Sequence, residues 1–211
     1  MAYLPLLDRH SEAEPKLLEK RLATQPGFFC EVIRLVYRSK NEPKTDGEPD
    51  KQKETIAVNA WRLLREWKRS PGLQGDGTFS TQDFETWLKS VKKYCAESGH
   101  LEVAMLTVGK VLLYCPADPQ GLWIVQAVAR ALNARDAEEI RRGFVNEVFN
   151  SRGVHDVDPT GKPEKELAIH WREKADAVEN AGFARFAATL RKRAESYDRE
   201  AEQIIKEHRQ G

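Results

Sequence analysis

Apolar residues in this chain recur at helical spacing, segment after segment, and that recurrence leaves little room for any other fold. Phe84, Trp87, Leu88, Val91 and Cys95 fall at i, i+3, i+4, i+7 and i+11. That spacing places all five on one stripe of a helix, since 3.6 residues complete a turn. Leu101, Ala104, Met105, Val108 and Leu112 repeat the pattern, and so do Ile56, Ala60, Leu63, Leu64 and Trp67. Between the stripes stand short breakers: Gln25-Pro26-Gly27, Ser70-Pro71-Gly72, Ser98-Gly99 and Pro119-Gln120-Gly121. The expected fold is all-α: a multi-helix bundle or solenoid-like stack of about nine helices, ending in an αα-hairpin.

The helices are expected near residues 11–24, 28–38, 51–69, 80–97, 101–115, 121–133, 136–150, 163–180 and 183–208. Ser11 with Glu14 and Pro15 marks the first start, and Ser80 with Asp83 forms a capping box for the fourth. Phe28 to Arg38 is apolar on most sides, which predicts a central helix, although a short β-branched run also suits a strand. Residues 39–52, with Pro43, Gly47 and Pro49, read as a loop. Residues 1–24 are expected to form an N-terminal helical extension, and 25–211 a single all-α domain with the hairpin at 163–208.

Composition narrows the functional classes. The chain has 211 residues, with 34 Lys and Arg against 33 Asp and Glu, for a net charge of +1. Dedicated nucleic-acid binders carry a basic excess, so the balance disfavours that class globally. Local basic faces remain: Lys89, Lys92 and Lys93 on one helix, and Arg185, Arg191, Lys192 and Arg193 on another. If the two coincide in space, they form an alternative, nucleic-acid-contacting surface. The apolar stretches are shorter than the ~20 residues that span a bilayer, so no membrane partner is expected. Cys30, Cys95 and Cys115 are odd in number and scattered, which reads as small buried hydrophobes in a reducing cytoplasm.

Motifs of chemistry are weak. Gly75-Asp76-Gly77-Thr78-Phe79 with Asp83 resembles half of a calcium loop, but Gly72 and Gln74 stand where carboxylates are needed. Glu166, His170 and Glu173 share a helix face with no second copy to complete a di-metal set. His155, Asp156 and Asp158 cluster in one loop, and a polar turn explains them as well as a cation does. No nucleophile elbow or phosphate loop is present, and no cofactor is called for.

The run singled out as a candidate site is the turn after the seventh helix: Asn150, Ser151, Arg152 and Gly153, with Arg141 and Arg142 upstream. Asn and Gly tolerate positive φ, and convergent Arg side chains grip carboxylate or phosphate through bidentate forks. Two readings stay open. One is a structural lock, with an internal acid such as Glu138, Glu139 or Glu147. The other is a site for an external anion or phosphate ligand. The lock is preferred.

The runs Val108-Gly109-Lys110-Val111-Leu112, Pro116 to Trp123, Arg142-Gly143-Phe144, Asn150 to Val154 and Ala194 to Ala201, with the Phe28–Arg38 and Trp61-Arg62-Leu63-Leu64 helices, resemble the C-terminal helical region of large bacterial proteins of unknown function. The resemblance covers most of residues 25–205 and carries no catalytic residues. It implies that the chain is a module cut from a longer protein. Its partner is then another protein or other domains of that parent chain. The stack of helices with no clustered catalytic set points separately to a non-enzymatic interaction or scaffold role. Apolar surface near residues 3–29 is then expected to be exposed or covered by a second copy.

Overall fold

The structure is a computed structural model that describes residues 16–39, 51–153 and 157–210. Among the described residues it contains nine helices and no strand beyond one isolated bridge, Leu73 to Phe79. The protein is an all-α helical assembly. No helix among the described residues is long and apolar enough to cross a membrane. The chain divides into two compact units, with the boundary between Cys115 and Pro116, whereas the sequence suggested one at residue 24.

The first unit holds α1 (Lys16–Thr24), α2 (Pro26–Val36), α3 (Lys51–Glu66), α4 (Thr81–Glu97) and α5 (Leu101–Leu112). The apolar character of α2 is explained by its company, for it packs against α1, α3, α4 and α5. Phe29 sits in an aromatic cluster with Trp67 and Trp87, at ring separations of 5.5 and 5.3 Å. Each ring so buried adds about 1.5–3 kcal/mol of transfer free energy. The Trp87 indole N–H donates to the Leu22 carbonyl at 3.0 Å and ties α1 to α4. Leu22 and Ala23 are buried there, while Leu17 is 80% exposed.

Four boundaries differ from expectation, one of them the end of α5, which stops at Leu112 rather than at residue 115. Gln25-Pro26-Gly27 does separate two helices, but the break is Gln25 alone, which is the N-cap of α2, so that helix starts at Pro26 rather than Phe28. Proline suits that position because its missing N–H would have had no helical partner. The helix ends at Val36, two residues early, as Tyr37 turns extended. Trp67 lies just beyond the end of α3, yet is fully buried in the aromatic cluster. The segment after it is pinned by side chains: the Glu19 carboxylate accepts the Lys68 and Arg69 N–H groups, and Arg69 donates to the Leu73 and Gln74 carbonyls. Of the loop expected at 39–52, residues 40–50 lie outside the described residues, and Lys51 and Gln52 already belong to α3.

The capping box at α4 is half formed. Ser80 Oγ accepts the Asp83 N–H at 3.2 Å, but the Ser80 N–H goes to the Gly72 carbonyl. The Asp83 carboxylate takes Gln74 Nε2 instead. This turn needs glycine at 72, where φ is +89° and a Cβ would stand 2.8 Å from the Phe79 ring.

The second unit holds α6 (Gln126–Asn133), α7 (Glu138–Asn150), α8 (Lys162–Asn180) and α9 (Ala184–Gln210). Phe186, Ala187, Leu190, Ala194, Tyr197 and Ala201 form the buried stripe of α9. The α8–α9 hairpin turns at Gly182, φ +88°. Trp123, Phe144, Trp171 and Phe186 interlock beside it, with Phe144 and Phe186 edge to face at 5.3 Å. The α6 helix begins five residues later than the periodicity suggested. Asp118 is the reason. Its carboxylate accepts the Gln120 N–H at 2.9 Å and the Gln126 N–H at 3.0 Å, so it closes a turn and caps α6 from outside. At the far end, Asn133 Oδ1 accepts the Arg185 and Phe186 N–H groups and caps α9.

Candidate functional site

The turn at the end of α7 forms as helix termini require. Ser151 is the C-cap, its N–H reaching the Glu147 carbonyl and its hydroxyl the Val148 carbonyl. The Gly153 N–H returns to the Asn150 carbonyl, and Gly153 takes φ +67°. His155 and Asp156 lie outside the described residues.

Arg152 turns inward. Its Nη2 donates to Glu164 Oε1 of α8 at 2.7 Å, and its Nη1 stands 3.4 Å from both carboxylate oxygens of Glu200 on α9. The Arg152 side chain is 11% exposed and that of Glu164 only 1%. Its guanidinium also lies 5.2 Å from the Tyr197 ring centre. Glu164 and Glu200 are 12 and 48 residues away, outside the set of neighbouring acids that the sequence offered. Glu139, one of that set, pairs with Arg142 at 2.7 Å.

Arg141 and Arg142 therefore do not converge with Arg152. Arg141 Nη1 donates to the Leu132 and Ala134 carbonyls at 2.8 Å and holds the C-terminus of α6. That contact satisfies carbonyls which a helix end leaves open, and it places a cation where the helix dipole favours one.

Instead, Arg141, Arg142 and Asn150 line a groove between α7 and α9, of about 930 Å³. Two stripes face it. From α7 come Arg141, Arg142, Val145, Asn146, Phe149 and Asn150, with Glu138 at one end. From α9 come Arg185, Ala188, Thr189, Lys192, Arg193 and Ser196, spaced i, i+3, i+4, i+7, i+8 and i+11, with no acid among them. Among the described residues, no carboxylate pairs with Arg185, Lys192 or Arg193. Arg193 spreads over the Tyr197 ring at 3.9 Å and the Phe149 ring at 5.0 Å, and its Nε and Nη2 meet no acceptor. Phe149 is 52% exposed on the groove wall. The α9 stripe was visible in the sequence as Arg185, Lys192 and Arg193. Its pairing with α7 was not, because no sequence signal says which helices lie side by side.

The other candidates resolve into structure. Arg191 is bound by Asp176 at 2.7 Å and Glu179 at 2.5 Å, a pairing that holds the Glu179 carboxyl below the usual range. Lys89, Lys92 and Lys93 sit on α4, in the first unit. Asp76 accepts the Thr78 N–H and hydroxyl, which also depresses its pKa, and forms a side-chain turn. Glu166, His170 and Glu173 are exposed on α8, with Glu166 near Lys162. Asp158 binds Thr160 in the same manner as Asp76 binds Thr78. Among the described residues, no three His, Cys, Asp or Glu side chains are grouped to hold a metal.

The cysteines are all free thiols. Cys30 and Cys95 are buried together, sulfur to sulfur at 2.9 Å, between α2 and α4. Their shared proton lowers the Cys30 pKa and, with burial, raises that of Cys95. Cys115 is partly exposed. His100, buried in the α4–α5 turn, contacts Ser98 Oγ and the Tyr37 carbonyl at 3.1 and 3.0 Å, so it ties that turn to the end of α2.

Compared with known proteins, the chain matches no family model, no curated protein and no solved structure.

Proposed function

We propose that this chain is a non-enzymatic helical interaction module, which engages a partner through the groove between α7 and α9. The groove carries this reading. Its α9 wall is a row of cations without internal acids, beside an exposed aromatic ring. Elsewhere on α9 a surface cation is offset by acids of the neighbouring helix, as Arg191 is by Asp176 and Glu179 of α8. A one-sign row next to apolar surface is the composition of a binding face. A parent chain or a separate protein can supply the partner. The Arg152 cluster contributes by holding the wall rather than by binding, since its guanidinium is spent on Glu164 and Glu200.

The test places a photo-crosslinking residue at Ala188, on the groove wall. In the cell that makes the chain, a discrete protein adduct is expected, and Arg185→Glu with Lys192→Glu should abolish it. Turnover of a small-molecule substrate by the purified chain, lost in the same double variant, would overturn the reading.

A further inference from the structure

The composition of the α7–α9 groove says more about its occupant than that one exists. From Arg185 to Ser196 the α9 wall spans twelve residues, roughly 16 Å at 1.5 Å rise per residue. That is about three turns of a second helix lying alongside. Two facing ridges of helix side chains offer the shape into which an amphipathic helix settles.

Charge sets the sign of the occupant. Arg185, Lys192 and Arg193 line the α9 wall with no carboxylate on them and Arg141 stands on the α7 wall, while Arg142 is held by Glu139 and Glu138 is the one acid of the lining. Apolar area sets its other face. Val145, Phe149 and Ala188 interrupt the cations, and Phe149 is 52% exposed. An occupant that covers them needs apolar side chains at helical spacing between its acids.

A long polyanion fits less well. Residues 116–211 carry 16 Lys and Arg against 17 Asp and Glu, so the unit as a whole offers no basic field.

We infer that the groove between α7 and α9 receives an acidic amphipathic helix of a partner protein, its carboxylates on Arg185 and Lys192 and its apolar face on Val145, Phe149 and Ala188. This rests on the reading of the groove as an interaction surface.

The experiment pans the full chain against a displayed library of helical peptides with randomised surface positions. Enriched sequences are expected to combine Asp and Glu with apolar residues at i, i+3, i+4 and i+7. Their affinity, measured by fluorescence anisotropy, should fall at least about tenfold in Arg185→Glu/Lys192→Glu, with the melting temperature unchanged. It should also weaken with added salt, and a single-stranded oligonucleotide should not compete. Enriched peptides without acidic bias that still depend on the two residues would overturn this inference and leave the interaction surface standing. So would an oligonucleotide that binds through the same residues more tightly than any peptide. Enriched peptides indifferent to the double variant would overturn both.

Discussion

Arg152 shows how one residue decides between site and scaffold. A guanidinium in a turn, close in sequence to two more, looks built to catch an anion. In the structure it is already satisfied, by Glu164 with almost no exposure and by Glu200 beside it. Removing one member of such a pair leaves a charge buried without compensation, whereas replacing both with apolar groups does not. Arg152→Ala is therefore expected to cost about 3–5 kcal/mol in urea unfolding. The double change Arg152→Met/Glu164→Leu should recover much of that loss. A single variant as stable as the parent would show that the pair contributes nothing.

At the scale of the element, helix ends depend on side chains that local pattern does not reveal. The periodicity of residues 121–133 extends a helix through Leu122 and Val125, but the helix starts at Gln126 because Asp118 reaches across to its N–H. The two backbone N–H groups from Gln126 and Gln120 hold the Asp118 carboxyl below its ordinary value. The sign of the pH effect follows. A depressed folded-state pKa contributes stability that is present above the unfolded carboxyl value, near 4, and is lost as pH falls through the folded one. Asp118→Ala should cost about 0.5–2 kcal/mol at neutral pH, as loss of a cap does. Its deficit against the parent should shrink as pH falls below about 4, read from denaturation midpoints at each pH. A deficit independent of pH would place the effect in packing.

At the scale of the whole molecule, each unit has its own core. Around Trp67, Trp87 and Phe29 the first is sealed by aromatic contact, and the second around Trp123, Phe144, Trp171 and Phe186. The second also contains both ends of the Arg152–Glu164 pair and both walls of the groove. A compact unit with its own core can fold alone. Residues 116–211 expressed by themselves should therefore unfold cooperatively in circular dichroism and keep their sensitivity to Arg152→Ala. A fragment that is helical without a cooperative transition would mean that the core of this unit is incomplete.

Helix identity was legible because it is a local property. The stripes of Phe84 to Cys95 and Leu101 to Leu112, the glycine at 182 and the Ser80 cap all act within a few residues, and each formed where its spacing placed it. Partner choice was not legible. The acids that meet Arg152, the carboxylate that caps α6 and the α7 wall that faces Arg185 and Lys192 are brought together by how helices lie against one another. A single periodicity says which face of a helix is buried, but many pairings of such faces satisfy it equally. Only the packing of large side chains, where a ring such as Phe186 fits against Phe144 and Trp123, selects one pairing. The sequence alone thus determined an all-α chain and its capped stripes, while the tertiary structure decided which charges neutralise each other and which are left facing a groove.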